Sequence, residues 1–316
     1  MEKVSAVIAT FNEEENIADC IKSVQDADEI IVNDDSSTDN TVKIAKSLGA
    51  KVVTRPDFGE YPTAEDVKDF EKRFGWKPLF EEGKRIRNGH LESSFGVNSA
   101  KYDWVIVPDA DERITWKLDK LRKEVLPNAD QIIGQFVHSH KEDGSPERMS
   151  TIIKMFRKSV TQIDGRTHTC IIPYGRIVET NLLRVDHWQK FVPNRQIYVR
   201  PILEYCVLKD DDQRSRFYLG REYYYYHEYD KALKILDIYF KDATWMPEIA
   251  QARLYQARCY WESGQGDKAR ESALQAFLIN PDQKETCELM SEMYFEPWKS
   301  KWAYIAQNAT NKDILF

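Results

Sequence analysis

Two aspartates separated by one residue, Asp109 and Asp111, follow the apolar segment Trp104–Val107. Carboxylates on alternate residues can hold a divalent cation and a sugar hydroxyl together, because both supply hard oxygen ligands. The preceding segment is too apolar for a surface loop, so it predicts a strand that delivers the two carboxylates to a sheet edge. Isolated pairs of this kind also occur in ordinary solvated loops, so the prediction depends on what accompanies them.

Two further polar clusters follow earlier strand-like segments. The first, Asn12–Glu15, comes after Val7–Phe11, and the second, Asn33–Asp39, comes after Ile30–Val32. Because parallel strands end at the same edge of a sheet, we expect all three clusters to lie together. Solvated turns with helix caps would explain each cluster separately, but they do not readily explain all three.

The elements that must position these residues follow from the hydrophobic pattern. Strands are predicted over Val4–Ala9, Glu29–Asn33 and Lys51–Arg55, with amphipathic helices between them. Strand and helix alternate at a spacing that favours a parallel sheet with right-handed crossovers. An insertion of polar and aromatic residues spans about residues 56–83, and about residues 131–188 resemble antiparallel strands. We therefore expect an α/β core with a β-rich extension.

A repeat begins near residue 214, where the pattern becomes helical. A shift of 37 residues places Tyr218, Arg221, Tyr223 and Asp230-Lys231-Ala232 on Tyr255, Arg258, Tyr260 and Asp267-Lys268-Ala269. The underlying period is 34, since it also takes Tyr260 to Tyr294 and Pro247 to Pro281. This period resembles the tetratricopeptide repeat. An ordinary helical subdomain with accidental similarity is the alternative.

The three polar clusters resemble, in order and spacing, the motifs of family-2 glycosyltransferases of the GT-A fold. The matching segments are Ser5–Glu13, Val32–Thr41 and Asp109–Glu112. The resemblance implies an α/β GT-A domain, Rossmann-like with a mostly parallel sheet, over residues 1–190. A linker at 191–213 and tetratricopeptide-like helical repeats at 214–316 are expected to follow. The family's Asp-Asp-Gly-Ser appears as Asp34–Ser37, which requires a turn without glycine at Ser36.

The resemblance also implies roles for individual residues. Asp35 would meet the nucleotide base, Asp109 the ribose or the metal, and Asp111 the metal. The residues implied in donor binding are Thr10, Asn12, Glu13, Asp34, Asp35, Arg87 and Asp109. The implied metal ligands are Asp109, Asp111 and His187. The expected cofactor is Mn²⁺ or Mg²⁺, which would neutralise the charge of a departing nucleotide diphosphate.

The sequence does not identify a single general base. An inverting displacement needs a carboxylate or imidazole within hydrogen-bonding reach of the acceptor hydroxyl. His168, Glu112 and Asp143 are the candidates, with His168 ranked first, and Thr169 stands where the related subgroup usually has Glu. The predicted catalytic residues are thus His168, Asp111 and Glu112.

Composition excludes several other classes. A net charge of −7 disfavours non-specific binding to nucleic acid, and five scattered cysteines without a CxxC pair indicate neither a zinc knuckle nor a disulfide framework. No apolar run reaches the ~18 residues of a membrane span. The N-terminus lacks a signal-peptide pattern, so a cytoplasmic protein without a membrane span is expected.

Together these patterns predict a metal-dependent, inverting glycosyltransferase with a UDP-linked sugar donor. The acceptor would be a macromolecule, namely a peptide or protein, a modified nucleic acid or a glycan, selected in part by the repeats. The repeats could also form a homodimer. The alternatives are a non-catalytic scaffold with a degenerate transferase domain and a sugar nucleotidyltransferase. The latter needs a glycine-rich basic loop after the first strand, where Asn12–Glu15 is acidic.

Overall fold

Short β-branched and aromatic segments form the strands of a mixed sheet. The computed structural model describes residues 1–165, 170–188, 196–211 and 213–309. The strands are β1 (Val4–Thr10), β2 (Glu29–Asp34), β3 (Lys51–Thr54), β4 (Trp104–Ile106), β5 (Glu112–Trp116), β6 (Gln131–His140), β7 (Pro146–Arg157), β8 (Ile163–Asp164), β9 (Cys170–Ile171) and β10 (Ile177–His187). Within those residues, eight strands form one sheet in the order β3-β2-β1-β4-β7-β6-β10-β5, and β8 pairs with β9.

The helices divide between two units of the chain. They are α1 (Ile17–Ser23), α2 (Thr41–Ser47), α3 (Ala64–Phe74), α4 (Gly89–Asn98), α5 (Leu118–Lys120), α6 (Gln196–Lys209), α7 (Gln213–Tyr225), α8 (Tyr229–Tyr239), α9 (Met246–Glu262), α10 (Gly266–Ile279), α11 (Lys284–Met293) and α12 (Trp298–Asn308). A π-helical turn, Leu121–Val125, and a 3₁₀ turn, Leu126–Asn128, follow α5. The first unit, Met1–Glu60 and Arg87–Pro193, contains the sheet, and the second comprises Tyr61–Ile86 and Asn194–Phe316.

The four strands at one side of the sheet run parallel. β1 pairs with β2 and with β4 in parallel, and β2 pairs with β3 in the same way. Their crossovers contain α1 and α2, and α2 is followed by Gly49, whose φ of 83° only glycine adopts readily. All four strands therefore end at one edge, as the sequence predicts.

Alternate residues of β1 point to opposite faces of the sheet, and both faces are covered. Ile8 is buried with Ile17 and Ile21 of α1. Val7 is buried in a second cluster with Val97 of α4. Burial on both faces explains why β1 is a continuous apolar run instead of an alternating one.

The antiparallel segment extends this same sheet. β7 lies between β4 and β6 and is antiparallel to both. β10 is parallel to β6 and antiparallel to β5. Of the seven strand pairs among the described residues of this sheet, four are parallel. The sheet, expected to be mostly parallel, is thus mixed, because β7 in its middle and β5 at its edge run opposite to the other six strands.

The second unit contains α3 and α6–α12. Gly220 of α7 lies so close to α8 that a Cβ atom there would be 2.7 Å from Leu236 Cδ2. Ala257, which the 37-residue shift places on Gly220, is fully buried, as are Ala232 and Ala269. The small residues of the repeated pattern therefore lie in the interior of the helical unit.

The boundary between the units differs from the expectation at two places. The mixed charge of residues 191–213 predicts a linker, but Gln196–Lys209 form α6. Leu203 and Val207, one helical turn apart, are fully buried and make this segment part of a core. The insertion assigned to the first domain belongs to the second unit from Tyr61 onward, since Phe70 and Phe74 of α3 pack in the helical core.

Among the described residues, none of the helices combines the length and the apolar content that crossing a bilayer requires.

Candidate functional site

The ends of β1, β2 and β4 meet at one edge of the sheet. The N–H of Asp35, which follows β2, donates to the carbonyl of Thr10 at the end of β1, with 3.0 Å between N and O. On the other side of β1, Ala9 pairs with Asp109 in an isolated parallel bridge. Asp35 and Asp109 therefore flank the end of β1, and the three polar clusters of the sequence are neighbours in the fold.

Hydrogen bonds join the loop after β1 to the loop after β2. Asn12 Oδ1 accepts from the Thr38 N–H at 2.8 Å, and the Asn12 N–H donates to Ser37 Oγ at 2.9 Å. The Glu13 N–H donates to Thr41 Oγ1 at 2.7 Å. Asn12 and Glu13 thus lie at the predicted edge, where they fix two of its loops to each other.

The last residues of β1 and β2 each have a buried oxygen atom without a hydrogen-bond partner among the described residues. Ser36 adopts a φ of 63° in place of the family's glycine, and the Ser37 N–H donates to Asp34 Oδ2 at 3.0 Å. Asp34 Oδ1 and the hydroxyl of Thr10, its neighbour across the sheet, have no partner. Each such atom costs about 1–3 kcal/mol. A ligand that donates hydrogen bonds to them would recover that cost.

Asp35 belongs to an ionic network of two carboxylates and two guanidinium groups. Arg55 Nη2 lies 3.1 Å from Asp35 Oδ2 and 3.2 Å from Glu92 Oε2, and the Arg55 side chain is 1% exposed. Arg87 Nη2 lies 2.7 Å from Glu92 Oε2, but the Arg87 side chain is 50% exposed. Arg55 therefore compensates the buried carboxylates, whereas Arg87 presents part of its guanidinium to solvent.

A buried ammonium group holds the carboxylates that follow β4. Lys154 Nζ, on β7, lies 3.0 Å from Asp109 Oδ2 and 2.9 Å from Glu112 Oε2. Glu112 Oε2 also accepts from the Asp109 N–H at 3.0 Å. The Glu112 side chain is 3% exposed and that of Asp109 is 60% exposed. Glu112 is thus enclosed, and Asp109 is the more accessible partner of Lys154.

Burial and charge act in opposite directions on this ammonium–carboxylate pair. Burial raises the pKa of Glu112 to about 7, and the positive charge of Lys154 opposes the rise. Burial lowers the pKa of Lys154, but the carboxylates of Asp109 and Glu112 raise it more, so it lies above its ordinary value. Lys154 therefore stays charged at neutral pH.

Asp111 pairs with His187 at the end of β10. His187 Nε2 lies 3.2 Å from Asp111 Oδ2. Burial raises the pKa of Asp111, but the hydrogen bond and charge of His187 lower it more, so the pKa lies below its ordinary value. The hydrogen bond to Asp111 raises the pKa of His187 above its ordinary value, against the effect of burial. Each group therefore favours the charged form of the other.

The donor atoms at this edge fit a divalent cation in part. Asp111 and His187 place a carboxylate oxygen and an imidazole nitrogen close enough to bind one ion together. Asp109, the third predicted ligand, pairs with Lys154 instead. In the part of the chain that the structure describes, no three His, Cys, Asp or Glu side chains form a metal-binding group. The structure thus brings together two of the three predicted ligands.

The three candidates for the general base differ in their surroundings. His168 lies outside the described residues. Glu112 is enclosed by Lys154 and the backbone of Asp109, which places it poorly for reaching an acceptor hydroxyl. Asp143 is an exposed residue between β6 and β7, and its Oδ1 accepts from the N–H and the hydroxyl of Ser145 at 2.9 and 2.6 Å. These hydrogen bonds are typical of a turn residue.

Sequence reasoning missed several residues beside the site. Arg55 follows β3, His140 ends β6 and Trp188 follows β10. His140 Nε2 lies 3.1 Å from Asp186 Oδ1, the Trp188 ring stacks on His140 at 4.0 Å between centroids, and the Trp188 N–H donates to the Asp111 carbonyl. All three residues lie at strand ends, the same signal that identified the aspartates. Lys154, in the middle of a strand run, gives no such signal.

Comparison with known proteins supports the resemblance inferred from the motifs. Residues 5–60 match the family model described as glycosyl transferase family 2. The predicted resemblance is therefore confirmed for the segment that contains the ends of β1 and β2.

Several relatives are named as glycosyltransferases. An uncharacterized glycosyltransferase of Rickettsia typhi is 36% identical over 119 residues, which cover 37% of this chain and 31% of the relative. One from Rickettsia bellii is 36% identical over 183 residues, covering 54% and 52% of the two chains. The lipopolysaccharide core biosynthesis glycosyltransferase LpsC of Rhizobium meliloti is 25% identical over 255 residues, covering 77% and 82%. The chain spans about a third to about half the length of the Rickettsia relatives.

Solved structures give a more distant likeness. Glucosyl-3-phosphoglycerate synthase from Mycobacterium tuberculosis, in complex with Mn²⁺, UDP and phosphoglyceric acid, is 21% identical with a TM-score of 0.29 and covers 44% of each chain. A complex of the same synthase with Mn²⁺, UDP-glucose and phosphoglyceric acid is 16% identical with a TM-score of 0.36, covering 66% and 79%. The family assignment therefore rests on residues 5–60.

Proposed function

We propose that this chain is a glycosyltransferase that moves a sugar from a nucleotide diphosphate sugar to a macromolecular acceptor. The proposed donor is a UDP-sugar. One observation carries the proposal: Asp35 and Asp109 flank the end of β1, beside oxygens of Thr10 and Asp34 that have no hydrogen-bond partner in the described part of the chain. Open α/β sheets bind ligands outside the carboxyl ends of their strands. The match of residues 5–60 to glycosyl transferase family 2 agrees with this placement.

In this proposal the donor lies across the ends of β1 and β2. Asp35 meets the base, and Thr10 and Asp34 accept hydrogen bonds from the nucleotide. Asn12 and Glu13 lie in the loop after β1, and this loop lines the donor pocket in the proposal. Arg87 binds the diphosphate, because its guanidinium is half exposed and has the planar donor geometry that phosphate oxygens accept.

The proposed cofactor is Mn²⁺ or Mg²⁺, held by Asp111 and His187 with Asp109 as a further ligand. Such a cation would neutralise the charge that develops on the diphosphate when the bond to the sugar breaks. The pairing with His187 keeps Asp111 ionised, and His187 would release its proton on binding the cation, because only a neutral imidazole is a metal ligand. Asp109 is accessible enough to turn from Lys154 toward a ligand.

For the acceptor side, we propose His168 as the general base of an inverting displacement. Glu112 then has a positioning role, since it bonds to the Asp109 N–H and to Lys154. The helical unit is proposed to consist of tetratricopeptide-like repeats that bind the acceptor or a second copy of the chain. The interior positions of Gly220 and Ala257 support this reading. A peptide, a modified nucleic acid or a glycan would suit the surface of stacked repeats.

Thermal shift with UDP, GDP and ADP, each with and without Mn²⁺, tests the donor site. We expect stabilisation by UDP that increases with Mn²⁺, because the cation links the diphosphate to Asp111. UDP-sugar hydrolysis with metal then tests activity, and Asp119→Asn is the matched control because that carboxylate is 84% exposed. Absence of stabilisation by every nucleotide would favour the scaffold alternative, and pyrophosphate release from UTP and a sugar phosphate would favour the nucleotidyltransferase.

A further inference from the structure

Lys154 projects from β7 into the carboxylate cluster of the proposed cation site. The Val107 N–H donates to the Lys154 carbonyl at 2.9 Å, which fixes this part of β7 beside the end of β4. The Lys154 side chain is 12% exposed, and its ammonium group contacts Asp109 and Glu112 together. The pairing of β7 with β4 thus places the ammonium group of Lys154 at the position where a divalent cation would meet Asp109.

Two cations cannot use the same oxygen of Asp109 without strong repulsion. At close range in a partly buried site, like charges repel strongly, because solvent screening is weaker than in bulk water. A divalent cation that takes Asp109 Oδ2 must therefore displace the ammonium of Lys154. Glu112 remains within 2.9 Å of that ammonium and gives it a second anionic partner.

We propose that Lys154 is a positioning residue that competes with the divalent cation for Asp109 and thereby sets the cation affinity of the site. Without a cation, Lys154 holds Asp109 in place and neutralises the cluster. When a cation binds Asp109 and Asp111, Lys154 stays on Glu112. This inference rests on the metal site of the proposed function.

The competition has a consequence for nucleotide binding. A diphosphate brings negative charge that attracts both the cation and the displaced ammonium. Nucleotide and cation should therefore bind the intact chain cooperatively, and the coupling should weaken when Lys154 loses its charge.

The test measures Mn²⁺ binding by the full chain without nucleotide, by calorimetry or by electron paramagnetic resonance of free Mn²⁺. Lys154→Met should bind Mn²⁺ about tenfold more tightly than the unmodified chain, because the repulsion is gone. Lys154→Arg keeps the charge and should bind like the unmodified chain. Lys51→Met removes an exposed charge at the opposite end of β3 and should have no effect.

Lys154→Met leaves the buried carboxylate of Glu112 unpaired, so the fold is checked by circular dichroism. If the single variant unfolds, the double variant Lys154→Met, Glu112→Gln removes both charges and should still bind Mn²⁺ more tightly than Glu112→Gln alone. Equal Mn²⁺ affinity with and without the Lys154 charge would overturn the inference. If UDP still stabilises the chain in that case, the proposed function stands alone, whereas absence of both UDP and Mn²⁺ binding overturns both proposals.

Discussion

His187 and Asp111 are 76 residues apart in the chain, yet His187 Nε2 lies 3.2 Å from Asp111 Oδ2. The antiparallel pairing of β10 with β5 produces this contact, since it places His187 opposite Glu112. A second strand thus supplies an imidazole nitrogen next to the carboxylates that follow β4.

The first prediction concerns this pair. Asp111→Asn should reduce metal-dependent UDP-sugar hydrolysis by about 100-fold or more, because it removes the charge of the proposed cation ligand at the reacting diphosphate. The melting temperature should change by only a few degrees, since Asp111 lies at a loop and Asn can still accept from His187. Hydrolysis assays and thermal melts check this against Asp119→Asn, and unreduced hydrolysis would place the cation elsewhere.

The two arginines around Glu92 should differ sharply when they are replaced. Arg55→Met should lower the free energy of unfolding by about 3–5 kcal/mol, because it leaves buried carboxylates unpaired. Arg87→Met should cost less than about 1 kcal/mol, since that side chain is half exposed. Urea denaturation measures both values.

The Arg87→Met variant also tests the proposed role of Arg87 in UDP binding. Arg87→Met should weaken UDP binding about tenfold through the loss of a charge-assisted hydrogen bond. Calorimetry on the folded variant measures this loss. UDP affinity equal to that of the unmodified chain would remove Arg87 from the donor site.

Packing between α7 and α8 gives a prediction for the helical unit. Gly220→Val should lower the free energy of unfolding by about 1–3 kcal/mol or more, because its side chain would overlap Leu236. Gly266→Val is the control, since a Cβ atom there comes no closer than 3.5 Å to its neighbours. Replacing Leu236 with Ala should cost less in the Gly220→Val background than in the unmodified chain. Strict additivity would show that the two side chains do not meet.

Acid should destabilise the helical unit through Asp66. Burial raises the pKa of Asp66, but hydrogen bonds from Lys209 and Thr63 lower it more, so the folded pKa lies below the unfolded one. The ionised Asp66 therefore adds to the free energy of unfolding above the unfolded pKa, which is near 4. This contribution is lost as the pH falls through the folded pKa. Between pH 6 and pH 3, Asp66→Asn should lose less stability than the unmodified chain. Asp69→Asn, an exposed change on the same helix, should lose as much as the unmodified chain, and identical curves for all three would contradict the assignment.

The sequence by itself determined the parallel half of the sheet and the aspartates at its edge. Asp35, Asp109 and Asp111 could be found because each follows a short apolar run, and an apolar run with a polar end is a local signal. A separate signal, the 37-residue shift that aligns Gly220 with Ala257, predicts small residues inside the helical unit, and both residues lie in its interior. Metal ligation, the general base and the nature of the repeats remain predictions.

Only the tertiary structure decided which charges oppose these carboxylates. Lys154 meets Asp109 because β7 lies beside β4. Arg55 meets Glu92 because α4 packs on β2, the neighbour of β3. Strand order and helix packing depend on contacts between distant segments, which hydrophobic periodicity does not specify. The aromatic segment after Tyr61 joined the helical unit for the same reason, because burial of Phe70 and Phe74 depends on which distant core receives them.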